Sequence, residues 1–303
     1  MNESDAAASP LGQMLLQKLP GMPPQDVAFY VRGMSAAEPY APGPDSLPRD
    51  AVPRGELSRQ RQRGTRFYPG VERDFWVYVP AQYDASTPAC LMVFQDGERY
   101  IGAEINAPAV FDNLIHAGDM PVTIAVFVNP GEQGPGLPIY GGSDNRGVEY
   151  DAPGDRYARF LAEELLPQAL QGRAIVDDPA GRAICGLSSG GLCALNVAWE
   201  QPDSFSKVVS HCGSFTDIRG GHELSGRVRR SAAKPLRVFL QTGSHDLDII
   251  FGQWELANRD MAAALAYRGY DHQLLVGDGG HSLKHGGAVF PQTLRWLWRD
   301  YAA

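Results

Sequence analysis

Residues 182–191 have the sequence RAICGLSSGG, and this stretch indicates which fold the chain adopts. A short strand at 182–185 leads into a Gly-x-Ser-x-Gly turn at 186–190, and a helical stretch follows at 191–200. A strand, a tight turn flanked by small residues and a helix together lift a serine above the edge of a sheet. The turn alone also fits a connection capped by serines, but its flanking strand and helix favour Ser188 as a nucleophile.

The sequence on both sides of this turn alternates between strands and helices from about residue 65 onward. Runs of apolar residues, continuous and not alternating, suit strands that are buried on both faces of a parallel sheet. The predicted strands are 75–79, 90–94, 122–128, 182–185, 207–211, 236–242 and 272–276, and the predicted helices are 155–170, 191–200, 253–267 and 291–301. This order predicts a three-layer α/β sandwich around a mostly parallel sheet, with its functional site at the carboxyl ends of the strands.

Residues 1–64 differ from the rest and are interpreted as an N-terminal extension to a catalytic domain at 65–303. Short helices are predicted at 11–19 and 26–34, and the proline-rich stretch 39–55 is predicted to be extended or looped. The extension is either a strap over the domain or a flexible arm. We favour the strap, because Phe29, Tyr30 and Tyr40 are costly to leave in water.

Composition restricts the partners and the location of the protein. The net charge of −8 argues against nucleic acid or an anionic membrane, since both select basic surfaces. The four cysteines form no Cys-x-x-Cys pair, so we expect free, buried thiols and no zinc site. The polar, acidic start lacks the features of a signal peptide, and no apolar run reaches 18 residues, which predicts a cytoplasmic protein without a membrane span.

A nucleophilic serine needs a base and an acid at other strand ends, because a free hydroxyl reacts poorly at neutral pH. Asp246 follows the strand at 236–242, and His281 follows the strand at 272–276, in the chain order serine, acid, histidine. His281 is expected to take the serine proton, and Asp246 to orient its ring. Asp248 stays open as an alternative acid, and His285 as an alternative base.

Stabilising the anion formed in such a reaction requires two main-chain N–H groups. Ser189, directly after the nucleophile, is expected to supply one. The loop after the strand at 90–94 supplies the other, with Glu98 as first choice and Gly97 as second. Arg146 and Glu149 are predicted to line the mouth of the site as an ion pair, although a surface ion pair in a loop fits them equally well.

Several segments together resemble the enterochelin esterase-like group of putative esterases, with esterase D, feruloyl esterases and mycolyltransferases as more distant relatives. The resemblance covers about residues 65–303. Its motifs are Phe94-Gln95-Asp96-Gly97, Arg146 with Glu149-Tyr150, Glu164-Leu165-Leu166-Pro167, the turn at 186–191, Gly279-Gly280-His281-Ser282 and the closing run 294–300.

The resemblance implies an α/β-hydrolase fold, a triad of Ser188, Asp246 and His281, a small-molecule ester substrate, no cofactor and no metal. Enterochelin esterases carry a larger and differently built N-terminal module, so a siderophore is one candidate among many esters. An acyltransferase using the same triad and a non-catalytic binding module on a hydrolase fold are the alternatives. The sequence predicts no oligomeric state.

Overall fold

A large sheet forms the centre of the computed structural model, which describes residues 2–18, 21–36, 38–133 and 145–301. Its strands are β1 (Glu56–Arg63), β2 (Glu72–Val79), β3 (Cys90–Gln95), β4 (Thr123–Val128), β5 (Arg182–Leu187), β6 (Lys207–His211) and β7 (Arg237–Gly243), with β10 (Asp271–Gly277) at one edge. The short strands β8 (Asp248–Ile249) and β9 (Gly252–Gln253) form a separate antiparallel pair.

The order of strands in the sheet is β1-β2-β4-β3-β5-β6-β7-β10. The pairs β1–β2 and β2–β4 are antiparallel, and every other neighbouring pair is parallel. The predicted mostly parallel sheet is therefore confirmed. Because β5, β7 and β10 run in the same direction, the loops after them open at one edge.

Helices cover both faces of this sheet, and further helices lie at its carboxyl edge. They are α1 (Glu3–Ala8), α2 (Pro10–Lys18), α3 (Pro24–Ser35), α4 (Gly97–Ile101), α5 (Ala107–Ala117), α6 (Arg146–Tyr150), α7 (Arg156–Phe160), α8 (Leu166–Ala169), α9 (Ser189–Glu200), α10 (Glu223–Arg230), α11 (Trp254–Tyr267) and α12 (Lys284–Trp298). A π-helical turn, Leu161–Leu165, joins α7 to α8. The three-layer arrangement expected from the sequence is confirmed.

Alternate residues of the buried strands contribute to two separate apolar cores. In β3, Leu91 and Val93 pack into the core beneath α7, α9 and α11, whereas Met92 and Phe94 pack into the core beneath α5 and α12. Successive side chains of a strand point to opposite faces, so a wholly apolar strand can serve both cores. Burying each large side chain stabilises the fold by about 1.5–3 kcal/mol. The four cysteines are free and buried, as predicted.

The sheet begins earlier in the chain than the sequence indicated. The edge strand β1, Glu56–Arg63, lies inside the region that was interpreted as the extension. Its sequence is ELSRQRQR, which offers no apolar pattern to predict a strand. On its exposed face, Arg59 and Arg61 instead form ion pairs with Asp74 of β2.

The N-terminal helices lie against the loops at the carboxyl edge of the sheet. Tyr30 of α3 is buried in a small apolar cluster together with Leu15, Leu247, Ile249 and Trp254. Tyr40 is partly buried and stacks on His285, with ring centroids 4.2 Å apart. Phe29 remains 42% exposed, so only two of the three aromatic residues that motivated the strap are covered.

Over the described ranges, no helix combines the length and the apolar character that crossing a bilayer demands.

Candidate active site

Ser188 lies between β5 and α9 in a strained main-chain conformation. Its φ of 59° and ψ of −121° fall in a region that residues with a side chain rarely adopt. The turn is close enough that a Cβ at Gly186 would overlap the carbonyl group of Gly190. A hydrogen bond of 2.8 Å from the Ser188 N–H to the His211 oxygen fixes the turn to β6. The predicted strand–turn–helix geometry is present, and strain of this kind is typical of functional positions.

Asp246 and His281 meet beyond the ends of the neighbouring strands β7 and β10. The Asp246 Oδ1 atom lies 2.6 Å from His281 Nδ1, and both side chains are buried. Two further donors reach the carboxylate, since Thr242 Oγ1 is 2.7 Å from Oδ2 and the Leu247 N–H is 2.7 Å from Oδ1. Burial alone would raise the pKa of Asp246, but the charge of His281 and these hydrogen bonds lower it below its usual range.

The alternative acid and base stand in different surroundings. Asp248 is exposed at the start of β8. His285 is buried, but its Nδ1 atom lies 3.1 Å from the Gln241 amide, and its ring stacks on Tyr40. The pairing of Asp246 with His281 thus agrees with the first choice from the sequence, while the catalytic role of both residues stays a prediction.

A cavity of about 720 Å³ opens at this edge of the sheet, and both Ser188 and His281 border it. Among the hydrogen bonds of the described residues, Ser188 Oγ has one side-chain partner, Ser214 Oγ at 3.1 Å. The remaining walls contain two kinds of side chain. The apolar ones are Tyr30, Met34, Ile218, Leu247 and Trp254, and the polar or charged ones are Asp96, Glu98, Arg99, Asn129, Arg146 and Asp151.

The main-chain donors expected for an anion differ in their surroundings. Ser189 borders the cavity as the first residue of α9, where a helical N–H has no partner within its own helix. Glu98 also borders the cavity, but its N–H donates to Asn129 Oδ1 at 3.0 Å. Gly97 packs so closely on the main chain of Phe127 that a Cβ there would overlap it, and Gly97 is not among the lining residues. These observations favour Ser189 and Glu98.

The prediction of an ion pair between Arg146 and Glu149 is wrong. Arg146 instead makes two hydrogen bonds of 2.8 Å to Asp96, and a third of 3.1 Å to the carbonyl oxygen of Leu187. Glu149 is buried away from the cavity in an ion pair with Arg73, whose side chain has no exposed surface. The two residues share one short helix but point to different neighbours, so only Arg146 borders the site.

Asp151 is a cavity residue that the sequence did not single out. Burial raises its pKa to about 6, although the charge of Arg146 and a hydrogen bond from Ser189 oppose that rise. Its Oδ1 atom is buried without a hydrogen-bond partner among the described residues. Asp151 directly follows the Arg146–Tyr150 segment, and this position was the one indication in the sequence that it could belong to the site. The sequence alone does not show that its carboxyl group faces α9.

The N-terminal extension also contributes to the site. The N–H of His281 donates to the carbonyl oxygen of Gly33 in α3 at 2.8 Å, and Ser282 Oγ donates to Glu38 Oε1 at 2.6 Å. Tyr30 and Met34 of the same segment line the cavity. Tyr30 and Met34 lie far in sequence from the motifs predicted to be catalytic, so the sequence did not indicate that they line the site.

One group of potential metal ligands occurs among the described residues, formed by Cys212, Asp246 and His281, whose ligand atoms all lie within 4.8 Å of one another. Two ligands of one tetrahedral zinc ion stand roughly 3.3 Å apart. The Asp246–His281 distance of 2.6 Å is that of a hydrogen bond instead. This geometry does not fit a metal centre.

Comparison with known sequences gives matches over most of the chain. A family model described as putative esterase matches residues 68–297. An iron(III) enterobactin esterase from Dickeya dadantii (strain 3937) is 29% identical over 247 residues, which represent 75% of this chain and 52% of that protein. The chain therefore spans about half the length of this curated relative.

Solved structures with similar folds include two kinds of esterase. The ferric enterobactin esterase of Salmonella typhimurium matches with a TM-score of 0.68 and 24% identity, over 86% of this chain and 62% of that one. A ferulic acid esterase from the anaerobic fungus Anaeromyces mucronatus matches with a TM-score of 0.65 and 17% identity, over 84% of this chain and 95% of that one. At such low identity, the likeness shows a shared fold.

Proposed function

The chain belongs to the enterochelin esterase-like family of putative esterases with an α/β-hydrolase fold, and on this premise we propose that it hydrolyses carboxylic esters through an acyl-serine intermediate. One observation carries the proposal. His281, which is joined at 2.6 Å to the buried Asp246, borders the same cavity as Ser188, a strained serine at the turn between a strand and a helix.

In the proposed reaction, His281 acts through Nε2, the ring nitrogen that is not bonded to Asp246. It removes the proton from the Ser188 hydroxyl as the serine oxygen attacks the ester carbonyl carbon. The lowered pKa of Asp246 supports a negatively charged carboxylate in this role. That charge stabilises the protonated imidazole, and the bond to Nδ1 keeps the ring in the required orientation.

The attack places a negative charge on the former carbonyl oxygen, which the N–H groups of Ser189 and Glu98 are proposed to bind. The position of Ser189 at the start of α9 supports its part, because the helix dipole also favours an anion there. Glu98 would exchange its bond to Asn129 Oδ1 for one to the oxyanion.

The tetrahedral intermediate then collapses, and the alcohol leaves with the proton that His281 carries. This leaves the acyl group bound to Ser188 Oγ. A water molecule, deprotonated by His281, attacks the acyl carbon, and the acid is released as Ser188 recovers its proton. Each proton passes through the same histidine, so one base serves both halves of the reaction.

The cavity supports an ester that has both an apolar ring and a polar portion. Trp254, Tyr30 and Leu247 form an apolar wall, whereas Arg146 and Arg99 lie among the charged lining residues. The relatives are described as enterobactin and ferulic acid esterases. Siderophore and feruloyl esters are therefore the first substrates to test on this chain, followed by aryl and short aliphatic esters.

The N-terminal extension is proposed to be a strap that completes the site. The hydrogen bonds of His281 to Gly33 and of Ser282 to Glu38 support this role, because they tie the histidine loop to residues near the start of the chain. The cytoplasm remains the proposed location, and four free, buried cysteines fit a reducing compartment.

The test is turnover of a p-nitrophenyl ester, together with covalent labelling by a fluorophosphonate probe. Ser188→Ala is expected to lower kcat by about 10³-fold or more and to abolish labelling, because it removes the attacking atom. Ser210→Ala is the matched control, since Ser210 is a buried serine of the neighbouring strand β6 whose hydroxyl has no hydrogen-bond partner among the described residues.

Two results would contradict the proposal. Full turnover by Ser188→Ala would remove this serine from the mechanism, and a wild-type protein that neither turns over esters nor reacts with the probe would favour a binding module. Product analysis with an added alcohol distinguishes hydrolysis from acyl transfer, because only a transferase would convert most of the acyl group into a new ester.

A further inference from the structure

Ser214, in the loop after β6, holds the proposed nucleophile at two points. Its N–H donates to the Ser188 carbonyl oxygen at 3.0 Å, and its Oγ atom lies 3.1 Å from Ser188 Oγ. Ser214 is fully buried, whereas Ser188 is only partly buried at the cavity wall. Ser214 therefore contacts the reacting oxygen from the protein side and leaves its cavity side open.

Trp254 binds the other side of the Ser214 hydroxyl group. Its Nε1 atom lies 3.1 Å from Ser214 Oγ, and the Trp254 side chain is almost completely buried at the start of α11. The same indole ring packs edge-on against the imidazole of His281, with centroids 5.9 Å apart and planes at 84°. One side chain thus contacts both the proposed base and the residue that holds the proposed nucleophile.

The direction of these hydrogen bonds follows from the number of donors and acceptors. An indole N–H can only donate, so Ser214 Oγ must accept from Trp254. If Ser188 donated to Ser214 as well, Ser214 Oγ would accept two hydrogen bonds. Its own proton would then be buried without an acceptor among the described residues. Leaving a buried donor unpaired costs about 1–3 kcal/mol. Ser214 therefore donates to Ser188, and the proton of Ser188 stays available for another acceptor.

We propose that Ser214, oriented by Trp254, is a positioning residue that keeps Ser188 Oγ as a hydrogen-bond acceptor and so directs the Ser188 proton toward His281. This inference rests on the proposed function, because it assumes that Ser188 attacks the ester. It adds a residue outside the Ser188, Asp246 and His281 set. As negative charge develops on Ser188 Oγ during attack, the bond from Ser214 strengthens, so its contribution appears in kcat.

The experiment compares Ser214→Ala, Ser214→Thr, Trp254→Phe and the double variant Ser214→Ala/Trp254→Phe, using p-nitrophenyl ester turnover and fluorophosphonate labelling. Ser214→Ala is expected to lower kcat about 10- to 100-fold with little change in KM, since Ser214 is buried and is not among the residues that line the cavity. Ser214→Thr keeps the hydroxyl and is expected to recover most of the activity. Ser210→Ala is the control for loss of a buried serine hydroxyl.

The double variant supplies a measurement that a purely structural role would not move. Trp254→Phe keeps an aromatic ring in the wall but removes the N–H that fixes the bond direction. Because Trp254 acts through Ser214, the kcat of the double variant is expected to be no lower than that of Ser214→Ala alone. The proposal would be overturned if the kcat losses of the two single variants multiplied in the double variant. It would also be overturned if Ser214→Ala kept the wild-type kcat.

Ser188→Ala separates this proposal from the proposed function. If Ser188→Ala is inactive while Ser214→Ala retains the wild-type kcat and labelling rate, the positioning role fails and the esterase mechanism stands. If Ser188→Ala is fully active, the mechanism itself fails. Should Ser214→Ala not fold, as judged by its thermal transition, the labelling rate of Trp254→Phe decides. A lowered rate would support the proposal, and a wild-type rate would overturn it.

Discussion

The N–H of His281 donates to the carbonyl oxygen of Gly33 at 2.8 Å, which joins the loop after β10 to a helix near the start of the chain. This contact ties the position of the proposed base to a segment outside the family match, which begins at residue 68. Gly280, the neighbour of His281, approaches the same carbonyl so closely that a Cβ at this position would overlap it.

Gly280→Ala is therefore expected to push α3 away from the histidine loop and to lower kcat about tenfold or more, because small misplacements of a catalytic group are costly. Steady-state turnover and the thermal transition measure both effects. Gly43→Ala is the control, since Gly43 has open space around its Cα and an extended backbone that alanine also adopts. Equal activity of the two variants would argue against the strap.

Asp246→Asn is expected to lower kcat about 10³- to 10⁴-fold, because an amide leaves His281 without its charged partner and favours the wrong tautomer. Asp248→Asn changes an exposed carboxylate nearby and is expected to keep the wild-type kcat. Turnover of one ester over a range of concentrations measures both variants. The reverse result would assign the acid role to Asp248.

Asp151→Asn is expected to stabilise the protein at high pH. Burial raises the pKa of Asp151 from 3.8 to about 6, so the folded state binds this proton more tightly than the unfolded state. Deprotonation of Asp151 therefore lowers the free energy of unfolding as pH rises from about 4 to about 6, by about 3 kcal/mol in total.

Urea unfolding at about pH 8 should therefore show Asp151→Asn to be more stable than wild type by up to this amount, and the difference should vanish near pH 3. Asp155→Asn, at an exposed position, is the control. A difference that does not change with pH would show that the charge of Asp151 is not the cause.

Glu149→Gln is expected to destabilise the fold by about 3–5 kcal/mol, because it leaves the Arg73 guanidinium buried without a countercharge. Arg73 also lies 4.3 Å from the centre of the Phe160 ring, so it cannot turn to water without disturbing the core. Urea unfolding measures the loss, and Glu72→Gln in the exposed pair with Arg61 is the control. A double variant, Arg73→Met with Glu149→Leu, should recover most of the stability.

The sequence by itself determined the main strands, their mostly parallel arrangement and the loops that carry Ser188, Asp246 and His281. These features are local, since an apolar run predicts a buried strand and a Gly-x-Ser-x-Gly turn needs its glycines at fixed positions. The sequence did not predict β1, because this charged edge strand has no apolar pattern. Main-chain hydrogen bonds to β2 and ion pairs hold it in the sheet.

Only the tertiary structure decided which side chains meet across the sheet edge. Arg146 and Glu149 stand three residues apart on one helix, a spacing that suggests a pair. Asp96, directly after β3, binds Arg146 instead, and Arg73 of β2 binds Glu149. The contacts of His281 with Gly33 and of Ser214 with Trp254 join distant parts of the chain. Such partners are set by packing in three dimensions, and no spacing in the sequence encodes them.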